Sequence, residues 1–124
     1  MRVNLTYTHA KSHHYVGEYF LNKNILTPER SLRVRNHSPD GFSVGYCGSG
    51  CAQLALAILL ELAEDKTYAE RNYQKFKEKI IAALPQNKSF DVEIEIPSSY
   101  LGIIEKEPFL VDEDGPHIVS NINV

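Results

Sequence analysis

Two cysteines are all the chain has, and that scarcity excludes a disulfide-stapled scaffold. Cys47 and Cys51 stand four residues apart, where a loop enters a predicted helix, and no further thiol completes a zinc set. Long apolar runs are missing as well. The longest, Leu54 to Leu60, falls far short of the ~20 residues that cross a bilayer. The N-terminus opens Met1-Arg-Val-Asn-Leu-Thr-Tyr7, which alternates like a strand instead of forming the apolar core of a targeting signal. These absences predict a soluble, cytoplasmic protein with reduced thiols and no membrane partner. Internal repeats and low-complexity stretches are absent too. So are the P-loop and the Gly-x-Gly-x-x-Gly dinucleotide fingerprint.

What is present is one domain's worth of ordinary globular sequence. The chain has 124 residues, 43% hydrophobic and 23% charged, which argues against disorder and against a fibrous repeat. A chain of this length buries roughly two thirds of its unfolded surface, enough for one core. The net charge is −3, which disfavours sequence-independent binding to duplex DNA. The charge is uneven: residues 1–51 carry six Lys/Arg against three Asp/Glu, and residues 52–124 carry seven against thirteen. Four of the five histidines lie in the first 37 residues. A basic, His-rich half points to an anionic ligand.

Hydrophobic periodicity divides the chain. Val3, Leu5 and Tyr7 alternate in a strand over Met1–Thr8, and a polar loop follows over His9–His14. Tyr15–Leu21 is β-rich, and Asn22–Glu29 reads as a connection. Leu32 and Val34 alternate with Arg33 and Arg35, predicting a short strand over Ser31–Arg35 with one basic face. Asn36–Gly41 is a turn, so Phe42–Tyr46 is expected to pair with that strand as a hairpin. Ala52–Ala63 is apolar nearly all round and predicts a helix buried on most faces. Thr67 and Glu70 fit a capping box that opens an amphipathic helix stopping before Pro85, with Ala69, Tyr73, Phe76, Ile80 and Leu84 on its inner face. Phe90–Ile96 alternates as a half-buried strand with an acidic outer face, and Pro97–Ile104 is a short helix. The fold class is therefore α+β: a small antiparallel or mixed sheet of about five strands on one buried and one amphipathic helix. Residues 1–104 form the expected single domain and 105–124 an acidic tail or edge arm.

The stretch richest in chemistry is Gly45-Tyr-Cys-Gly-Ser-Gly-Cys-Ala-Gln53, a glycine-rich turn leading into the buried helix. Helix N-termini present unpaired N–H groups and partial positive charge, and glycines let an anion approach closely. Gly48, Ser49, Gly50 and Gln53 are thus candidate phosphate ligands, joined by Arg33, Arg35 and Ser38 from the expected hairpin. Arginine supplies bidentate hydrogen bonds to phosphate. His14 and His37 are candidates for general acid or base, with Arg35 stabilising charge. A set of His9, His13, His14 and His37 matches no standard zinc spacing, so no metal and no other cofactor is expected. The bland alternatives are a tight turn packed on the core, a solvated arginine face and loop histidines in water.

The run His37-Ser-Pro-Asp-Gly-Phe-Ser-Val-Gly-Tyr-Cys-Gly-Ser-Gly-Cys-Ala-Gln-Leu-Ala-Leu-Ala-Ile-Leu-Leu60 resembles the signature of a family of small bacterial and phage proteins catalogued as a domain of unknown function. Tyr73-Gln-Lys-Phe76 and Ile80-Ile-Ala-Ala-Leu-Pro85 resemble its later pattern, so the likeness covers residues 15–104. Cys47 stands where that pattern has glycine and Cys51 where it has proline, which the resemblance reads against a catalytic thiol. By analogy with small phage and defence proteins, the expected role is anti-defence handling of a cyclic oligonucleotide signal. The specific expectation is a metal-independent ring nuclease, a phosphodiesterase that cleaves the cyclic oligoadenylate of type III CRISPR systems using the substrate's own 2′-OH. A homodimer would match the symmetry of a ring-shaped ligand. The competing expectation is a non-catalytic nucleotide sponge or a protein-interaction inhibitor.

Overall fold

The computed structural model describes residues 1–9, 17–39, 41–103 and 115–122. Val3, Leu5 and Tyr7 are buried along β1 (Arg2–Thr8) while Asn4 and Thr6 face outward, as strand alternation requires. Phe90, Val92 and Ile94 do the same along β4 (Phe90–Glu95). β1 and β4 pair antiparallel in the register Val3↔Ile94, Leu5↔Val92 and Tyr7↔Phe90, which sets all six side chains on one face. β2 (Glu18–Leu21) pairs with the other side of β1, and β3 (Asn24–Leu26) pairs with β2. β5 (His117–Ile122) lies against β4 with a register shift at Glu93/Ile94. The result is one antiparallel sheet in the order β3-β2-β1-β4-β5. The acidic outer side of β4 is tied to β1, since Asn4 Nδ2 donates to Asp91 Oδ1 at 2.6 Å and Thr6 Oγ1 donates to Asn4 Oδ1 at 2.9 Å.

The helices share one core with the sheet's inner face. α1 spans Glu29–Val34, α2 Ser49–Leu62, α3 Lys66–Lys79 and α4 Ser98–Leu101, with a 3-10 turn over Ile81–Ala83. Every residue of α2 from Gly50 to Leu60 is buried, as apolar side chains around its whole circumference demand. α3 buries Ala69, Tyr73 and Phe76 and turns its lysines outward. The α+β class and the five-stranded sheet agree with the sequence reading.

Four local expectations are corrected. Ser31–Arg35 is not a strand: Glu29–Val34 is helical, with Leu32 N–H donating to Pro28 O and Arg35 N–H to Ser31 O, both at 2.9 Å. Phe42–Tyr46 is not a strand either, because Gly45 adopts φ +87° and sends its N–H to Ile81 O at 2.9 Å. The hairpin between these two segments therefore does not exist. β3 lies inside the expected connection, after a turn in which Asn22 and Lys23 hold φ of 49° and 70°. The cap of α3 is Asp65, whose side chain accepts from Thr67 N–H at 2.8 Å, instead of Thr67 itself.

Candidate functional site

Gln53 organises the N-terminal end of α2. It is the polar residue in an apolar run, sits one turn past the first helical residue, and is 0% exposed. An amide buried that deeply must find partners for both its oxygen and its nitrogen. Its Oε1 accepts from His37 N–H at 2.8 Å and from Ser38 N–H at 3.1 Å. Its Nε2 donates to Ser31 Oγ at 2.8 Å and to Arg35 O at 3.0 Å. Ser31 Oγ in turn donates to Pro28 O at 2.9 Å, which fixes the start of α1. Gln53 thus spends its hydrogen-bonding capacity on the segment from Ser31 to Ser38 and draws that segment onto α2.

The clamp holds the backbone of Arg35, His37 and Ser38 against Gln53, one turn into α2 from Ser49. Arg33 lies in the last turn of α1 and Arg35 is its C-cap; both are exposed and neither is in a salt bridge among the described residues. Arg33 does contribute to holding Glu29 below the usual carboxylate range, after the Thr27 side chain and the Glu29 backbone N–H. The His37 ring is half-buried, and its Nε2 lies 2.7 Å from Tyr73 Oη on α3. His14, the other histidine singled out, lies outside the described residues.

α2 begins a turn earlier than expected. Gly48 is the N-cap, no side chain caps the helix, and no acidic residue occupies its first turn. The positive end of the helix dipole is therefore uncompensated by any side chain of α2 itself. Ser49 is exposed there as the first helical residue, and Gly50 is buried with Ser43 Oγ against it. Cys51 is wholly buried while Cys47 is exposed. Two residues that the sequence reading did not select also stand at this end. Tyr46 packs its ring onto Gly48, and its hydroxyl is 2.9 Å from Ser43 Oγ. The sequence signal for Tyr46 was slight, an aromatic beside glycines.

Among the described residues no group of three or more His, Cys, Asp or Glu is placed to hold a metal ion. No helix among them is long and apolar enough to cross a membrane.

An antiparallel five-stranded sheet with its helices on one core face, and a glycine-rich entry to the central helix, defines an α+β domain whose central helix begins without a side-chain cap. A family model covering residues 10–99 matches the chain, which belongs to the Family of unknown function (DUF6166). Neither the curated proteins nor the solved structures yield a match.

Proposed function

We propose that this chain recognises a cyclic oligonucleotide signal of the oligoadenylate class, and that its phosphate-binding corner is the open end of α2 with the basic segment beside it. The observation that carries this reading is the Gln53 clamp, which ties Arg35 and His37 to a helix end with no acidic neighbour in its first turn. The helix N–H groups donate to phosphate oxygens, and Arg35, with Arg33, neutralises the remaining charge. Two copies about a two-fold axis suit a ring of repeated units, and the overall acidic balance makes duplex DNA a poor competitor.

In its catalytic form the reaction uses no metal. The substrate 2′-oxygen bonds to phosphorus, the bond from phosphorus to the 5′-oxygen breaks, and a 2′,3′-cyclic phosphate and a 5′-hydroxyl result. His37 takes the 2′-OH proton at Nδ1, the nitrogen left by the Tyr73 contact, and water protonates the 5′-oxygen. The non-catalytic form is a sponge, and it needs the same corner without proton transfer.

The test is incubation with cyclic tri-, tetra- and hexa-adenylate in EDTA, followed by chromatography. Linear products support cleavage. Loss of free ligand without products supports the sponge. No binding and no product with any of the three sinks the reading. Arg35→Ala is expected to weaken binding by about 1–3 kcal/mol. With cleavage, His37→Ala is expected to slow turnover roughly a hundredfold while sparing affinity.

A further inference from the structure

Tyr19 carries a hydroxyl whose placement calls for an explanation. It lies on the core face of β2 and is only 7% exposed, yet its Oη makes no hydrogen bond among the described residues. Every fully buried side-chain oxygen or nitrogen among those residues has a partner, so the sliver of Tyr19 that reaches solvent includes the hydroxyl. The ring stands edge-on to Phe42 at 5.8 Å, the residue before Ser43. Burial, followed by its neighbours Tyr7, Cys51 and Tyr46, holds the phenol well above its ordinary range. The group is thus an O–H donor at neutral pH, and of those neighbours Cys51 lies in the first turn of α2 and Tyr46 just ahead of it.

Tyr46 supplies a second independent feature. A side chain at Gly48 would fall 2.0 Å from Tyr46 Cε2 and 2.8 Å from its Cζ, so the ring sits directly on that glycine. Its hydroxyl is pinned by Ser43 Oγ at 2.9 Å, and 47% of the residue stays exposed. An aromatic ring fixed against the backbone, with about half of the residue in solvent, offers a stacking surface whose ordering cost is already met by the fold.

We propose that this end of α2 is a nucleotide subsite, in which the Ser49 and Gly50 N–H groups with the hydroxyls of Ser43 and Tyr19 hold the phosphate, and the open face of Tyr46 stacks the base. The ligand class rests on the proposed function above; the residues and the division of labour are new to it. The stacked base is recognised by its π-face, so adenine binds without needing hydrogen-bond readout.

The probes are inorganic phosphate and AMP, titrated into 15N-labelled protein and followed at the Ser49 and Gly50 amides. Both probes are expected to shift these amides, with AMP binding roughly ten- to a hundredfold tighter, the range one stacked base supplies. Tyr46→Leu is expected to remove that AMP advantage while phosphate changes by less than about threefold. Tyr19→Phe, which keeps the ring and its packing, is expected to weaken both probes about fivefold or more. Silent Ser49 and Gly50 amides, equal affinities for the two probes, or an AMP advantage that survives Tyr46→Leu would each overturn the proposal. The two readings separate cleanly. AMP bound in this way with cyclic adenylates ignored removes the larger reading and keeps the subsite. Cyclic adenylates bound with Tyr46→Leu and Tyr19→Phe indifferent does the reverse.

Discussion

Replacing Gln53 by leucine tests the clamp with little change in volume. The substitution leaves His37 N–H and Ser38 N–H without their shared acceptor and Arg35 O without its donor. Ser31 Oγ loses a donor but keeps Pro28 O, so it suffers least. Three backbone groups are thus orphaned, at about 1–3 kcal/mol each where water cannot reach them. They are only part-buried, so some rehydrate, and a total of about 3–5 kcal/mol is expected. A small domain is stable by about 5–15 kcal/mol, so the loss is a large fraction of the whole. Urea unfolding reads it directly: at about 1–3 kcal/mol per molar, the midpoint drops by roughly 2 M with the slope unchanged.

Glutamate at the same position sharpens the test by separating acceptor from donor. A carboxylate still accepts from His37 and Ser38, but it now faces Arg35 O without a proton to give. Full burial and that carbonyl favour the protonated form and outweigh the two N–H donors, which favour the carboxylate, so the folded-state pKa is expected above the unfolded one. The stability of Gln53→Glu is therefore full below the unfolded pKa and lost as pH rises through the folded one. Hydrogen exchange at the His37 and Ser38 amides is expected to speed up in Gln53→Leu and to stay slow in Gln53→Glu at low pH. If Gln53→Leu stays within about 1 kcal/mol of the parent, or Gln53→Glu shows no pH dependence beyond the parent's, the clamp is not what holds the basic segment.

Leu56 is 0% exposed in the middle of α2, and Leu56→Asp is expected to prevent folding, because an unpaired buried carboxylate costs several kcal/mol; a folded, soluble variant by circular dichroism would contradict the helix's placement. Thiol labelling of the native protein is expected to show one fast cysteine, Cys47, and one, Cys51, that reacts only as the chain opens; two fast thiols would contradict the burial of Cys51. Because burial first raises the Tyr19 pKa, the stability its neutral form contributes is full below the unfolded value near 10 and is lost above it. Urea midpoints at pH 7, 9 and 11 should therefore fall less steeply for Tyr19→Phe than for the parent. Gly45→Val forces a branched residue to φ +87° with its Cβ 2.9 Å from Leu84 O, so a loss of about 2 kcal/mol or more is expected in the same urea assay.

Where a segment was long and periodic, its pattern sufficed to identify it. β1, α2, α3 and β4 each repeat their apolar residues often enough to separate a period of 2 from one of 3.6. Ser31–Arg35 offers only Leu32 and Val34, and two apolar residues fit either period. What makes that stretch helical is remote: Ser31 is buried under Gln53, 22 residues away in sequence. Phe42–Tyr46 looks extended until Gly45 turns left-handed to reach Ile81, another contact that local composition does not encode. β3 escaped because three residues show no period and because Lys23 is an unusual occupant of a left-handed turn.

The site divides in the same way. The glycine-rich entry to α2 was visible because glycine, serine and a following apolar run are local signals. The hairpin expected to deliver the basic segment does not form, and that segment is tied instead to Gln53, one turn into the helix. Within the run Ala52–Leu60 it is the one side chain that cannot be buried alone. A helix that is buried all round must bring to such a residue some stretch of chain offering free N–H and C=O groups. A regular strand or helix interior has few to offer, since its own ladder uses them. The stretch has to be irregular backbone, and just after the C-cap of α1 the chain offers the His37 and Ser38 N–H groups and the Arg35 carbonyl. That same stretch carries Arg35 and His37. The placement of the basic segment beside Gln53 follows from the need to satisfy one buried amide, and it holds whether or not a ligand binds there.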